Sequence, residues 1–417
     1  MAAEPAPSQV DLVRDDVRRW LADHWDPALS LREWRRLLAV SGWAAPSWPT
    51  EWHGRGLPGW ADEVAADEFD RVGAVGPPPG VGMGLAAPTI LTHGSDAAKR
   101  RLLLAILTGE ETWCQLFSEP GTGSDLAGLS TSARLDGDEW VVDGQKLWST
   151  SAHHADRGLL LARTDRDVPK HRGITCFALP MRQPGVEARP LRQMNGHASF
   201  NEVFLSGARI PVVDVIGAPG EGWRVALTTL AHERRFGGVR RRRYDVASGR
   251  APREAEAESA EYFRTYEWYP QRQGRVDLAV DLARSAGVSG DPLVRQRLAA
   301  LLSYQRVHQW TASRAEAARA LGRPPGAEGS LGKLATSVLA GMAAATHSHV
   351  AGAAGMLAGA DSLLGGVIAE VLVSVPAQSI AGGTDEIQRN IIGERVLGLP
   401  REPSVDRDLP FRDVRRS

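Results

Sequence analysis

Apolar residues recur at helical spacing along the first quarter of the chain. Leu12, Val13 and Val17 begin a pattern typical of helices with one buried face. The helices predicted in this part lie at 8–40, 60–72, 85–93 and 97–107. Ser95 is a candidate N-cap for the last of them, because its hydroxyl can accept a hydrogen bond from a free backbone amide. We therefore expect residues 1–112 to form an all-helical domain.

From Trp113 to about Val215 the pattern changes to alternation of apolar and polar positions, interrupted by Gly, Pro, Asn and Asp. Alternation with period two is typical of strands with one buried face. The stretch DGDEWVVDGQKLWSTS at 136–151 predicts a polar turn, a strand, a second turn at Asp143–Gly144 and another strand. A small β-domain is therefore expected at 113–220.

Helical spacing returns at Gly222, and the later helices are rich in alanine, which favours close packing in a bundle. They are predicted at 276–286, 291–322, 329–358 and 361–375. Before them, 238–275 is charged and poor in aliphatic residues, which indicates an extended connection or a capping insert. The expected fold class is mostly α with an inserted β-domain, and the expected C-terminal helical domain is 221–403, with a tail at 404–417.

The composition indicates less about the fold and the function than the pattern of apolar and polar positions does. The chain has 417 residues, enough for two or three domains, and its formal net charge of −1 gives no reason to expect nucleic acid as a partner. It has only four lysines, which we attribute to genome composition. Cys114 and Cys176 lack metal-ligand spacing and indicate a reducing compartment. We expect no metal, no signal peptide, no membrane span and a cytoplasmic location.

A Gly-rich turn at 119–125 is the first candidate for chemistry. It is not a dinucleotide fingerprint, because a GxGxxG motif starting at Gly121 would need glycine where Leu126 stands. The chain also lacks a phosphate loop of the GxxxxGK type, an HExxH metal site and a GxSxG nucleophile elbow. Small residues between strands suit a site where the backbone approaches a planar ligand.

Two long motifs resemble those of the acyl-CoA dehydrogenase family. FSEPGTGSDLAG at 117–128, followed by DGQKLWSTS at 143–151, resembles its flavin-binding signature. AGGTDEIQRNIIGERVLGLPRE at 381–402 resembles its C-terminal signature. The resemblance covers nearly the whole chain and implies a helical domain, a middle β-barrel or sandwich and a C-terminal four-helix bundle. It also implies FAD, an acyl-CoA substrate, an electron-transfer flavoprotein as acceptor, and a dimer or tetramer, homo- or hetero-oligomeric.

The resemblance assigns contacts to individual positions. Trp148 would pack against the isoalloxazine ring, Thr150 would bond near N5, and Ser124 would also contact the CoA thioester arm. Hydrogen-bond donors at the flavin ring stabilise the charge that arrives with a hydride. The residues expected to contact FAD are Gln115, Phe117, Ser118, Gly123, Ser124, Trp148, Thr150, Thr384 and Glu386, the last two on the cofactor of a neighbouring subunit.

The catalytic base is expected at an unusual position. The best-known members carry Tyr-Glu-Gly-Thr where this chain has Ala381–Thr384, so the glutamate of that motif is absent. Some branches place the glutamate in a Glu-Arg pair after the β-domain, and Glu233 stands there. Asp385 and Glu386 are weaker alternatives, and a surface glutamate paired with neighbouring arginines is the plain interpretation of Glu233.

The resemblance implies oxidation of an acyl-CoA to the trans-2-enoyl-CoA. Gly382 and Gly383 would leave room for a branched, cyclic or steroid-like acyl group. Two other functions stay open at this point. The chain could be a non-catalytic FAD-binding or structural subunit of a hetero-oligomeric dehydrogenase, or a flavin oxidase, monooxygenase or biosynthetic desaturase with the same fold.

Overall fold

The computed structural model describes residues 7–236, 241–320, 327–359 and 362–414. Within them the chain divides into two compact units. One contains the N-terminal helices, the β-sheet and two further segments, and is called the sheet unit below; its residues are 2–191, 198–265 and 404–417. The other, called the bundle unit, is built from 192–197 and 266–403. The division predicted from sequence at 112, 220 and 403 stays a prediction.

Five helices open the sheet unit: α1 (Pro7–His24), α2 (Leu31–Ser41), α3 (Trp60–Val72), α4 (Ala87–His93) and α5 (Asp96–Thr108). The single helical stretch predicted at 8–40 is therefore two helices. The second begins at a capping box, in which Ser30 and Glu33 satisfy each other's backbone amides. Ser95 caps α5 through a bond from the amide of Ala98, as predicted. A π-helix at Gly82–Ala86 leads into α4.

Eight strands follow: β1 (Trp113–Leu116), β2 (Ser132–Asp136), β3 (Glu139–Thr150), β4 (Arg157–Arg163), β5 (Ile174–Pro180), β6 (Val186–Leu191), β7 (Phe200–Pro211) and β8 (Val215–Ile216). They form one sheet in the order β6-β7-β3-β2-β4-β5-β8, with β1 beside β4. Both faces of β4 and β5 are buried. Leu159 and Leu161 pack in one core cluster with the helices, whereas Leu160 packs in a second cluster of strand residues.

The hairpin turn predicted at Asp143–Gly144 is wrong. β3 runs without interruption through this point, and only its pairing with β7 shifts register between Val142 and Asp143, as at a β-bulge. The φ of Gly144 is 155°, a value that residues with a side chain rarely adopt, and a Cβ there would lie 2.5 Å from Thr131 Oγ1. The glycine therefore permits close approach of a neighbouring segment and does not make a turn. The polar turn before β3 is confirmed, since Asp136 pairs with Glu139 across Gly137.

After the sheet come α6 (Gly222–Phe236) and α7 (Arg250–Arg264). The part of the 238–275 insert that the structure describes is largely helical, so an extended connection is wrong for it; residues 238–240 lie outside the described residues. α7 packs on α2, where Arg35 makes two bonds to the Glu258 carboxylate at 2.6 and 3.0 Å. The Glu254 carboxylate accepts the backbone amide of Leu31 at 2.8 Å.

The bundle unit contains α8 (Tyr269–Arg272), α9 (Ala279–Ser285), α10 (Pro292–Ala320), α11 (Glu328–Ala351), α12 (Val367–Ser374), α13 (Pro376–Ile380) and α14 (Asp385–Arg395). Alanines allow the close packing that the sequence predicts. A Cβ on Gly274 would lie 2.9 Å from both Ala340 and Ala343 of α11. The fold class predicted from sequence, mostly α with an inserted β-domain, is confirmed.

One stretch of the described chain, Leu364–Arg395, is long and apolar enough to cross a membrane by length and composition, with a mean hydropathy of 1.5. A third of its most apolar window is buried. The backbone is extended at Ala381 and left-handed at Gly382, so several shorter helices share this length. The cytoplasmic location stays a prediction.

Candidate functional site

Two segments of the sheet unit, residues 117–125 and 146–151, contact each other and are called the cradle below. They contain six of the nine residues predicted to contact FAD: Phe117, Ser118, Gly123, Ser124, Trp148 and Thr150. Gln115 precedes them on β1. Thr384 and Glu386 belong to the bundle unit and are described separately below.

A buried ion pair holds the two cradle segments together. Lys146 Nζ lies 2.9 Å from Glu119 Oε1 and also donates to the carbonyl of Phe117 at 3.1 Å. Glu119 accepts further bonds from the Ser130 amide and hydroxyl and from the Thr131 amide, at 2.7 to 2.9 Å. Burial alone would raise the pKa of Glu119, but the Lys146 ammonium and these donors outweigh it and hold the pKa at about 2. The carboxylate is thus ionised, and the pair fixes the backbone at 117–119.

Trp148 has a strained backbone. Its φ is 59°, in the left-handed region, and the residue is 53% exposed. Such a conformation costs a bulky residue about 1–2 kcal/mol, so the surroundings must impose it. The Leu147 amide donates to the Ser118 carbonyl at 2.9 Å, and the Phe200 ring meets the indole edge-on at 5.7 Å. Strain that places a large aromatic ring in the open is typical of a ligand-binding position.

The Gly-rich turn is open on its outer side. Gly121, Gly123 and Ser124 are exposed, and a Cβ on either glycine would meet no atom within 4 Å. Thr122 Oγ1 is buried yet has no hydrogen-bond partner among the described residues. Exposed backbone, an unsatisfied hydroxyl and the open face of Trp148 fit a nucleotide cofactor with a planar ring system.

Gln115 and Glu233 lie together, although 118 residues separate them in sequence. Gln115 Nε2, on β1, donates to Glu233 Oε2, on α6, at 3.1 Å, and both side chains are half-buried. The helix is held in place by a buried pair of hydroxyls one turn earlier, Thr89 and Thr229, whose oxygens lie 3.0 Å apart. The structure thus brings together a residue predicted to bind the cofactor and the residue predicted to be the base.

In the bundle unit, Thr384, Asp385 and Glu386 of the C-terminal motif all contact other residues of the same unit. The Thr384 hydroxyl caps α14 by accepting the Ile387 amide, as the sequence allowed. Asp385 accepts from Lys333 Nζ at 2.9 Å and from Ser337 Oγ at 2.8 Å, which argues against a role as base. Glu386 is exposed and lies 3.5 Å from Arg389.

Lysines are the signal that the sequence analysis missed. Three of the four make ion pairs with carboxylates while their side chains are 0–12% exposed: Lys146 with Glu119, Lys170 with Asp125 and Asp406, and Lys333 with Asp385. The fourth, Lys99, lies 5.3 Å from the centre of the Trp52 ring. A compact ammonium fits an enclosed site where the planar guanidinium of arginine is too large. In a chain this rich in arginine, three of the four positions that keep lysine lie in enclosed ion pairs.

Comparisons with known proteins agree with this architecture. Three family models match: the acyl-CoA dehydrogenase N-terminal domain over residues 8–110, the middle domain over 114–207 and the C-terminal domain over 271–397. Acyl-CoA dehydrogenase IpdE1 of Mycobacterium tuberculosis is 35% identical over 420 residues, covering 94% of this chain and 98% of that protein.

Two solved structures are similar along nearly their whole length. The ChsE4-ChsE5 complex from Mycobacterium tuberculosis superposes with a TM-score of 0.65 at 28% identity, covering 96% of this chain and 100% of that chain. The Tcur3481-Tcur3483 steroid ACAD superposes with a TM-score of 0.65 at 26% identity, covering 95% and 99%. The chain belongs to the acyl-CoA dehydrogenase family, as its motifs predicted. It is therefore an oxidoreductase of a class that is generally FAD-dependent.

Proposed function

We propose that this protein binds FAD at the cradle and oxidises an acyl-CoA to the trans-2-enoyl-CoA, with Glu233 as the base. One observation carries the proposal: the hydrogen bond from Gln115 Nε2 to Glu233 Oε2 at 3.1 Å. It places a carboxylate against the strand that leads directly into the cradle. The family's glutamate is missing from the C-terminal motif, and Glu233 supplies a carboxylate in its place.

The environment of Glu233 suits proton abstraction from the α-carbon. The side chain is half-buried, beside the strand that leads into the cradle. The amide of Gln115 donates to Glu233 Oε2 and orients the carboxylate. Loss of a positioned general base typically costs about 10²–10⁴-fold in rate.

Bound FAD would supply the hydride acceptor at flavin N5. Around it, the Trp148 indole offers an open aromatic face, and Thr150 a half-buried hydroxyl at the end of β3. The exposed backbone of Gly123 and Ser124 would receive the phosphates and the thioester arm, and Gln115, Phe117 and Ser118 would line the pyrimidine side. Thr384 and Glu386 are proposed to contact the FAD of a neighbouring subunit.

A branched, cyclic or steroid-like acyl group is proposed as the substrate. The similar Tcur3481-Tcur3483 structure is named a steroid ACAD, which supports a bulky acyl group. In the bundle unit, a side chain on Gly382 would meet no atom within 4 Å, whereas one on Gly383 would lie 2.6 Å from Gln388 Nε2. The cavity of about 390 Å³ beneath α7 is lined by none of the residues proposed for the site and carries no argument for the substrate.

The proposed electron acceptor is an electron-transfer flavoprotein, and the proposed assembly is a dimer or tetramer. The ChsE4-ChsE5 relative is described as a complex of two proteins, which supports assembly with a second, related chain as well as with a copy of itself. Size measurement of the protein purified alone and together with a related chain would separate these two assemblies.

Anaerobic titration of the flavin-loaded protein tests the reaction. A panel of acyl-CoAs, from straight short chains to fused-ring acyl groups, is added while flavin bleaching is followed, and the product is identified by mass spectrometry. We expect bleaching with stoichiometric formation of a 2-enoyl-CoA, strongest with the bulky members. Preference for straight short chains would contradict the substrate proposal, and no bleaching with any member would contradict the function.

The variant Glu233→Gln isolates the base. It should bind FAD as the wild type does but bleach about 10²–10⁴-fold more slowly. Glu221→Gln is the matched control, because Glu221 is exposed just before the same helix and pairs with Arg224 at 2.9 Å. Equal bleaching rates in the two variants would remove Glu233 as the base.

A further inference from the structure

Residues 404–414, called the strap below, belong to the sheet unit, although they follow the bundle unit in sequence. They also lie beyond the matched C-terminal domain, which ends at residue 397. The matched domain model therefore does not cover them. Their contacts with the sheet unit show what they hold in place.

The strap is attached through its backbone and one aromatic ring. The Phe411 amide donates to the Val168 carbonyl at 2.9 Å, and the Arg412 amide donates to the Arg166 carbonyl at 3.0 Å. The Phe411 side chain is 3% exposed, and the guanidinium of Arg163 lies 3.4 Å from the centre of its ring. A buried aromatic ring under a cation stabilises a segment well beyond a surface contact.

Arg163 connects the Phe411 ring to the residues that directly follow the Gly-rich turn. The arginine is 1% exposed, and it donates to the carbonyls of Ala127, Leu129 and Lys170 at 2.6, 3.0 and 3.1 Å. Ala127 and Leu129 follow the turn directly. Phe411 thus packs on a side chain that holds the backbone directly after the turn.

A second connection runs through Lys170. Its ammonium donates to Asp125 Oδ2, in the turn, and to Asp406 Oδ2, in the strap, both at 2.9 Å. Burial would lower the pKa of Lys170, but the two aspartates outweigh it and raise the pKa above its usual value. Ser404 donates to the other oxygen of Asp406 at 2.7 Å and orients it. Asp125 and Asp406 are therefore joined through one shared cation.

The turn needs such support because two of its residues are glycines in open space. Gly121 and Gly123 lose much conformational freedom when the turn is ordered, and their exposed sides supply no packing. Glu119 and Lys146 hold the start of the turn. Lys170 holds Asp125 at its end, and Arg163 holds the backbone just after it. The strap contacts both of these side chains.

We propose that the strap is a positioning element for the cofactor site: Phe411, through Arg163, and Asp406, through Lys170, hold the Gly-rich turn in its ligand-ready conformation. This rests on the proposed function only in assigning FAD to the cradle. Ordering the turn in advance lowers the entropy cost of binding. Lys170 and Asp406 are therefore positioning residues and not catalytic ones.

Two measurements on the full-length protein test the strap. The first is the Kd for FAD, from flavin fluorescence; the second is hydrogen exchange in the turn peptide of the FAD-free protein. Asp406→Asn should raise the Kd about tenfold, the effect of one charge-assisted hydrogen bond, and should speed exchange in the turn. Asp408→Asn, an exposed aspartate in the same segment, should change neither. Lys170→Met should equal or exceed Asp406→Asn.

Two results would contradict the positioning role of the strap. One is wild-type FAD affinity together with wild-type hydrogen exchange in both Asp406→Asn and Lys170→Met. The other is an equal effect of Asp406→Asn and Asp408→Asn. If a variant unfolds, seen by far-UV circular dichroism, Phe411→Leu provides a milder version with the same expected direction. A protein that binds FAD but is not bleached by acyl-CoA would contradict the proposed function and leave this test intact, because neither readout depends on turnover.

Discussion

The cradle and the C-terminal motif were predicted from the same resemblance, yet their residues are in different physical situations. In the cradle, Trp148 is strained and exposed, Thr122 Oγ1 is buried without a partner among the described residues, and the glycines face open space. In the C-terminal motif, Thr384 caps a helix and Asp385 is held by Lys333 and Ser337.

The difference separates residues whose conformation local structure explains from residues for which it does not. Local structure accounts for Thr384 and Asp385, so these two need no ligand to explain their conformation. The buried Gln388 Oε1 of the same motif has no hydrogen-bond partner among the described residues, so the explanation does not extend to the whole motif. Local structure does not explain why Trp148 keeps a left-handed backbone conformation, two residues after the lysine of the buried pair Lys146–Glu119. Strain and unsatisfied polar groups that the fold does not need are the better indicator of a binding site.

The largest expected effect is a loss of stability when the ion pair between Lys146 and Glu119 is broken. Lys146→Met leaves the Glu119 carboxylate buried without its cation and should reduce the free energy of unfolding by about 3–5 kcal/mol, measured by urea denaturation. Lys146→Arg should also destabilise, because Lys146 is fully buried and the guanidinium is larger. A Lys146→Met, Glu119→Gln double variant should be more stable than Lys146→Met alone; additive losses would contradict the coupling.

The next effect is on the pH dependence of stability. The folded pKa of Glu119, about 2, lies below its ordinary value of 4.5. The unfolded chain therefore binds more protons between these pH values, so the contribution of Glu119 is complete above about pH 4.5 and is lost as the pH falls towards 2. Subtracting the unfolding curve of Glu119→Gln from that of the wild type should isolate this loss. A difference that does not change with pH over that interval would contradict the assignment.

Thr384 tests whether the C-terminal motif has a role beyond its helix cap. Thr384→Ala should cost about 1 kcal/mol of stability, whereas Thr384→Asn should keep the cap and cost only a few tenths. Both remove the hydroxyl proposed to meet the FAD of a neighbouring subunit, so both should weaken FAD binding. Wild-type FAD affinity in Thr384→Asn would mean that the threonine is a cap alone.

The smallest expected effect is a gain in stability. Trp148→Asn should raise the stability of the FAD-free protein by about 0.5–1 kcal/mol, because asparagine tolerates the left-handed conformation and the indole is already half exposed. Trp148→Ala keeps the strain and should show no gain. Both should bind FAD more weakly. Equal stability in the two variants would mean that the strain at Trp148 is not stored energy.

The sequence predicted helices and strands well where periodicity is long and strong. It failed at Asp143–Gly144, where a dipeptide that often forms a hairpin turn occurs inside a long strand. The reason is tertiary: Gly144 gives room to Thr131 on the neighbouring segment, and local turn preference cannot report that contact. The insert was misjudged because α7 is stabilised by ion pairs to α2, such as Arg35 with Glu258, which its own composition does not reveal.

Within the site, the resemblance could name Gln115 and Glu233 separately, and their contact required the structure. The pair of Glu119 and Lys146 was missed, although the four lysines were visible in the sequence as an anomaly. Pairing depends on which carboxylate the fold brings within reach, and 27 residues separate these two. The strap was missed for the same reason, since Asp406 and Lys170 are 236 residues apart.

The most direct test of Glu233 as the base separates proton removal from hydride transfer. A 3-thia-acyl-CoA carries sulfur at the β position and has no β-hydrogen to transfer, so in D₂O the enzyme can only exchange its α-proton, which mass spectrometry detects. We predict rapid deuterium uptake with the wild type and Glu221→Gln, and about 10²–10⁴-fold slower uptake with Glu233→Gln. Undiminished uptake with Glu233→Gln would show that another group removes the proton.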